Sequence, residues 1–226
     1  MTRSTATAAA DERQVQVATG RVALEGDLCI PPHPRAVVLF AHGSGSSRFS
    51  ARNKRVAEQL RERGFATLLM DLLTPNEESL DAHTGEYRFD IGRLAERLVG
   101  ATEWLGADAA TSKLPVAIFG ASTGGGAALV AAAEVPDQIA AVVSRGGRPD
   151  LAGEALTRVR APTLLIVGGN DETVLELNRE ALALLRTTAR LEVIPGATHL
   201  FEEPGALDEV ARHAAAWIDT YAARAT

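Results

Sequence analysis

The sequence has one cysteine, Cys29, and two lysines, Lys54 and Lys113, and only 4% of its residues are aromatic. One thiol cannot close an internal disulfide, so no disulfide framework holds this fold. So few aromatic residues leave little for a stacking platform that would hold sugars or bases. There is no excess of basic charge: 23 Lys and Arg stand against 29 Asp and Glu, a net charge of −6. A dedicated nucleic-acid binder normally carries a basic face, so that class is excluded. No apolar run reaches the roughly 18–20 residues of a membrane-spanning helix. Residues 1–13 are polar and rich in Ala and Thr, without the apolar centre of a secretory leader. The expectation is a cytoplasmic protein, monomer or homodimer, that meets a small molecule rather than a nucleic acid or a membrane.

What remains is enough for a large core. The chain has 226 residues, 46% of them apolar, which suits a single domain over 14–226 behind a flexible lead-in at 1–13. Gln14–Ala18 and Arg21–Ile30 alternate like paired edge strands and close at Pro31-Pro32. Short apolar runs follow at Ala36–Ala41, Phe65–Met70, Val116–Phe119, Ile139–Val143, Thr163–Val167 and Leu191–Ile194. Helical spacing separates them at Ala51–Gly64, Leu94–Leu105, Thr123–Val135, Val174–Arg186 and Leu207–Tyr221, with a crossover helix expected near Leu151–Val159. Strands joined by single helices make parallel units with right-handed crossovers. The first two strands have no helix between them, so that edge is antiparallel. The fold class is α/β: a mostly parallel, doubly wound sheet with an antiparallel N-terminal edge. Ligands of such sheets bind beyond the carboxyl ends of the strands.

Chemistry-bearing residues collect at those ends. Gly120-Ala121-Ser122-Thr123-Gly124 joins a strand directly to a helix, the setting of a nucleophile elbow. The turn needs small flanking residues, and it lifts Ser122 to a helix N-terminus that favours negative charge. A serine hydroxyl needs a base. Of five histidines, His33 lies between prolines, His83 in a polar stretch and His213 on the closing helix, and His42 ends a strand and shapes a loop. His199 alone follows the last strand. The base in turn needs a carboxylate, and Asp171 stands in Gly168-Gly169-Asn170-Asp171-Glu172 after a strand. A helix N-cap is the competing role for Asp171, and Glu172 is the fallback carboxylate. The oxyanion hole is expected from Thr123 N–H and from Ser44 N–H in His42-Gly43-Ser44-Gly45-Ser46-Ser47. That loop lacks the Gly-Lys-Ser/Thr of a phosphate cradle.

These motifs resemble the α/β-hydrolase superfamily, and within it the dienelactone-hydrolase-like branch, over residues 15–221. Some proteins of that kind occur joined to phosphoribosyltransferase domains. The branch's namesake enzymes use a cysteine nucleophile and a glutamate from the loop after an early strand. Here the nucleophile position is Ser122 and residues 42–47 hold no glutamate. The resemblance therefore implies a serine esterase with the triad Ser122, Asp171 and His199, no metal and no cofactor. The rival readings are a thioester or small-amide hydrolase with the same triad, or a silent hydrolase fold used for binding. Arg145 and Arg48 are candidates for an anionic substrate group, with a salt bridge to Asp150 as the plainer role of Arg145. About twenty residues separate the strands ending at Val143 and starting at Thr163, which leaves no room for a cap domain. The stretch 74–89 is the one loop long enough to cover the cleft in part, and the polar residues 81–90 could border the pocket.

Overall fold

The computed structural model describes residues 10–222. Two long strands, β1 (Asp11–Thr19) and β2 (Val22–Ile30), form an antiparallel hairpin. The remaining strands are β3 (Val37–Ala41), β4 (Ala66–Met70), β5 (Val116–Ala121), β6 (Ile139–Arg145), β7 (Thr163–Gly168) and β8 (Ala189–Ile194). They lie in the order β1-β2-β4-β3-β5-β6-β7-β8 in one sheet of eight strands. Only β1–β2 and β2–β4 pair antiparallel; β4 to β8 are parallel throughout.

The central strands are unbroken apolar runs because both faces of the sheet are covered. On β3, Val37, Leu39 and Ala41 join one core layer, and Val38 and Phe40 join the other. The first layer packs against α3 (Ile91–Ala107) and α4 (Thr123–Glu134), the second against α1 (Ala51–Glu62) and α6 (Ala206–Tyr221). Burying each large side chain of β3 contributes roughly 1.5–3 kcal/mol. Deep burial at both faces fixes β3 and β5 at the sheet centre, and with them the loops after Ala41 and Ala121.

Three expectations need correction. The strand β1 starts at Asp11, so residues 11–13 belong to the sheet and not to a lead-in; residues 1–9 lie outside the described part. The stretch 74–89 is not a loop but contains α2 (Pro75–Thr84). Its helical period carries no apolar stripe, so hydrophobic spacing could not reveal it. Its ends could: Thr74 and Glu77 form a capping box, Pro75 opens the helix, and Gly85 closes it at φ 67°. The crossover between β6 and β7 is a 3₁₀ helix, Pro149–Arg158, broken at Gly153 with φ 51°. A glycine in that conformation interrupts the α-helical hydrogen-bond ladder. The following helix, α5 (Glu172–Leu184), runs between β7 and β8. No cap domain is inserted between β6 and β7 or anywhere else in the described chain.

Candidate active site

Ser122 follows β5 with φ 51° and ψ −122°. A side-chain-bearing residue at positive φ is strained by about 1–3 kcal/mol, and such strain persists only where neighbours hold it. Here they do. Ser122 N–H donates to the Arg145 carbonyl at 3.2 Å, and the Ser122 carbonyl accepts from Gly125 N–H at 2.9 Å and Arg148 N–H at 3.0 Å. The turn has no room for side chains beside it. A methyl group on Gly120 would collide with the Gly124 carbonyl, and one on Gly124 with the Ala41 carbonyl. The first turn of α4 therefore presses on the end of β3, and the loop after β3 is brought onto Ser122.

Asp171 occupies the N-cap position of α5, yet its side chain makes no capping hydrogen bond. Its Oδ2 lies instead 2.6 Å from His199 Nδ1. The two loops that carry this pair are stitched together. Gly169 N–H donates to the Ile194 carbonyl at 2.8 Å, Asn170 N–H to the Ala197 carbonyl at 2.9 Å, and Asn170 Nδ2 to the Gly196 carbonyl at 2.9 Å. Downstream of His199, Phe201 is fully buried at φ 55°, and Glu203 accepts from both Thr198 N–H and Thr198 Oγ1. Those hydrogen bonds, led by the one from the Thr198 hydroxyl, hold the Glu203 carboxyl below its ordinary range. The His199 ring rests against Gly146: a Cβ there would lie 3.5 Å from its Nδ1. Ser122 N–H donates to the carbonyl of the preceding Arg145, so the C-terminal end of β6 and the residue after it are in contact with Ser122 and His199 respectively.

The loop after β3 is held from behind by His42. This side chain is buried; its Nε2 accepts from Leu72 N–H at 3.1 Å, and its Nδ1 lies 2.9 Å from the Gly43 carbonyl. The two contacts fit a neutral ring protonated at Nδ1. Burial lowers its pKa against the opposing pull of the Gly43 hydrogen bond and Asp71. Gly43 is wedged on Ser122, with a Cβ placed only 3.1 Å from Ser122 Cβ. Ser44 N–H, the expected second oxyanion donor, donates to Thr123 Oγ1 at 2.8 Å.

A cleft of about 330 Å³ opens beside this point, lined by His42, Ser44, Thr123, Leu72, Asp81 and Arg88 among others. One wall is α2 and the turn after it. Asp81 is buried there and accepts from Tyr87 N–H at 2.7 Å, Arg88 N–H at 2.9 Å and Arg88 Nε at 2.6 Å. Burial pushes the Asp81 carboxyl up, but these donors and the Arg88 charge outweigh it and leave it below the usual range. The sequence marks 81–90 only as a polar border; the Asp81–Arg88 clamp has no helical period to announce it. A larger hollow of about 700 Å³ lies between the β1–β2 hairpin and α1, lined by Cys29 and charged residues; neither hollow is lined by Ser122, Asp171 or His199, but the smaller one reaches Gly43, Ser44 and Thr123 beside Ser122. Burial at the larger one pushes the Cys29 thiol up to about 11, the wrong direction for a nucleophile.

The two arginines are placed differently from Ser122, Asp171 and His199. Arg48 meets three carboxylates of the chain itself, Glu25, Asp27 and Asp71. Arg145 is buried on the α1 side of the sheet, where its Nη2 donates to Asn53 Oδ1 at 3.2 Å and its guanidinium stands 5.7 Å from the Phe201 ring centre. Asp150 pairs with Arg148 instead. With no carboxylate beside it, burial lowers the Arg145 pKa to about 10, and the Arg52 charge adds to the effect.

One family signature covers this whole arrangement: residues 24–223 match the family model described as "Dienelactone hydrolase family". The chain belongs to that family. A solved dienelactone hydrolase from Anabaena variabilis is 59% identical, with 94% of this chain and 99% of that one covered and a TM-score of 0.93. Two Mycobacterium tuberculosis proteins, both named "Putative phosphoribosyl transferase", are 58% identical over 206 residues, 91% of this chain but 46% of theirs. The chain thus spans about half the length of the curated relatives it matches. A phosphotriesterase described as dienelactone-hydrolase-like shares the fold at 19% identity and a TM-score of 0.77. Among the described residues no helix is long and apolar enough to cross a membrane.

Proposed function

We propose that this hydrolase cleaves small carboxylic esters through an acyl-enzyme on Ser122, with His199 as base and Asp171 as its orienting carboxylate. The observation that carries the reading is the 2.6 Å contact between His199 Nδ1 and Asp171 Oδ2. A carboxylate there keeps the proton on Nδ1 and leaves Nε2 free to accept one. Ser122 Oγ attacks the ester carbonyl carbon while His199 Nε2 takes its proton. The negative oxygen that forms is met at the N-terminus of α4 by Thr123 N–H and the Ser44–Thr123 pair. Collapse breaks the bond to the alcohol, which leaves with the proton from His199. A water then attacks the acyl-serine by the same route, and the acid departs with Ser122 restored.

The transferase of the mycobacterial name is no part of this proposal. More than half of those proteins lies outside the matched region, and the family match includes Ser122, Asp171 and His199. A fluorophosphonate, which modifies activated serines, tests the reading. The expected adduct sits on Ser122 and is lost in Ser122→Ala and His199→Ala, which also lower kcat by about 10⁴ or more. An adduct elsewhere, or ester turnover surviving in folded Ser122→Ala, overturns it.

A further inference from the structure

We infer that the side-chain hydroxyl of Thr123 is itself an oxyanion donor, and that Ser44 N–H serves it from behind rather than meeting the substrate. This deepens the esterase reading and rests on it. The geometry starts from the 2.8 Å bond in which Ser44 N–H donates to Thr123 Oγ1. The backbone donor of the loop after β3 is thereby directed at a side chain. A hydroxyl that accepts one bond still has its own proton to give. Elsewhere in this chain a helical threonine gives that proton to a carbonyl one turn back, as Thr102 does to Leu98 and Thr220 to Ala216. Thr123 opens α4, so the residue four before it, Phe119, belongs to β5 and offers no such carbonyl. Its only side-chain hydrogen bond among the described residues is the one from Ser44. Thr123 is 4% exposed and that small exposure borders the 330 Å³ cleft.

The free O–H thus stands one residue from the nucleophile, beside the Thr123 N–H that shares its residue. Gly43, pressed on Ser122, keeps Ser44 close to both. Hydrogen bonds in a chain polarise one another, so a hydroxyl that accepts from Ser44 N–H is a better donor through its own proton. When Ser122 Oγ bonds to the carbonyl carbon, the carbonyl oxygen gains the electron pair of the broken π bond and accepts from Thr123 N–H and Thr123 O–H. The Ser122 proton goes to His199 Nε2 in this step, and none passes from threonine to the oxygen; both threonine hydrogen bonds to that oxygen weaken when the carbonyl re-forms.

The test compares Thr123→Val with Thr123→Ser, measuring kcat, KM and melting temperature with p-nitrophenyl acetate. Valine keeps the branched shape and removes only the donor. The expected result for Thr123→Val is a fall of about 10²–10³ in kcat with KM within roughly threefold, the effect of deleting one oxyanion donor. Thr123→Ser, which keeps the hydroxyl, recovers at least a tenfold part of that loss. If Ser44 N–H were the true donor and the threonine only its resting partner, Thr123→Val would free it and kcat would hold or rise; that outcome overturns the inference. Should the valine variant fail to fold, Thr123→Ala is read by the same split. Ser122→Ala run alongside separates the two levels. If it abolishes turnover while Thr123→Val does not, only the present inference fails; if it leaves turnover intact, the triad itself fails.

Discussion

Asp171→Asn separates two roles that the sequence left open, helix cap and partner of the base. Asparagine has the same shape, so the backbone of the turn is retained, including Asp171 N–H to the Gly168 carbonyl at 3.0 Å and Leu175 N–H to the Asp171 carbonyl at 2.8 Å. The Asp171 side chain makes no capping bond, so the ~1 kcal/mol that a lost cap costs is not at stake. What changes is the 2.6 Å contact with His199 Nδ1. When the amide presents its NH₂, two donors face each other, and the imidazole relieves this by moving its proton to Nε2. That tautomer cannot accept from Ser122. The amide also carries no charge to stabilise the imidazolium. Together these losses amount to about 10³–10⁴ in kcat, or roughly 4–5.5 kcal/mol of barrier at 1.36 kcal/mol per tenfold. Turnover of a p-nitrophenyl ester and thermal melting, measured on one preparation, decide the matter. Melting should be nearly unchanged while kcat collapses. Activity within tenfold of the wild type would refute the assignment and move the role to Glu172 or elsewhere, and intact kcat with a lowered melting temperature would make Asp171 a cap.

Arg145→Met should melt no lower than the wild type, since it removes a buried cation that has no carboxylate partner. If the guanidinium stays packed against Asn53 and Phe201, KM for an acidic ester and for its neutral methyl analogue should move together; a selective rise for the acidic ester would show that Arg145 reaches substrate. His42→Ala should destabilise by at least about 1–3 kcal/mol, because Leu72 N–H loses its buried acceptor. Burial lowers the His42 pKa, so its contribution is intact above the unfolded value of about 6.5 and is lost as pH falls from there toward the folded value. Urea melts at about pH 7.5 and 5.5 should show a smaller acid loss in His42→Ala than in the wild type, and an equal loss would refute the neutral ring. A p-nitrophenyl ester series should peak at short acyl chains, roughly C2–C6, because an uncapped cleft of about 330 Å³ gains nothing from methylenes that protrude; a peak at C10 or beyond would mean that α2 and its turn close over the chain.

Most of the fold was legible because burial leaves a strong mark on sequence. A strand covered on both faces must be apolar at every position, and Val37–Ala41 is, while Ala66–Met70 departs from it only at Thr67. The antiparallel edge was legible because no helix fits between Thr19 and Val22. Segments whose stability comes from polar contacts gave no such mark. The helix α2 buries only Asp81 of its ten residues, and it is fixed by Thr74, Glu77 and the clamp from Asp81 to Arg88. Its terminal signals were present, but they are local and short, and a period search passes over them.

The site divides along the same line. Ser122 was legible because the elbow forces glycine at 120 and 124, a steric demand written directly into the sequence. Position at a strand end singled out His199 and Asp171, but whether Asp171 faces inward or caps its helix is a matter of one side-chain torsion, which no sequence pattern encodes. The same limit applies to Ser44. A glycine- and serine-rich loop after β3 indicates that backbone donors stand near the nucleophile; it does not say what they donate to. That depends on the residue after the serine. A threonine there brings an acceptor within 2.8 Å of the Ser44 amide, and an aliphatic side chain would remove that acceptor together with the hydroxyl proton inferred to meet the substrate. If the Thr123 hydroxyl is an oxyanion donor, two chains with the same loop and the same Ser122, Asp171 and His199 positions differ in their donors when they differ at 123, and Thr123→Val is the change that reads it.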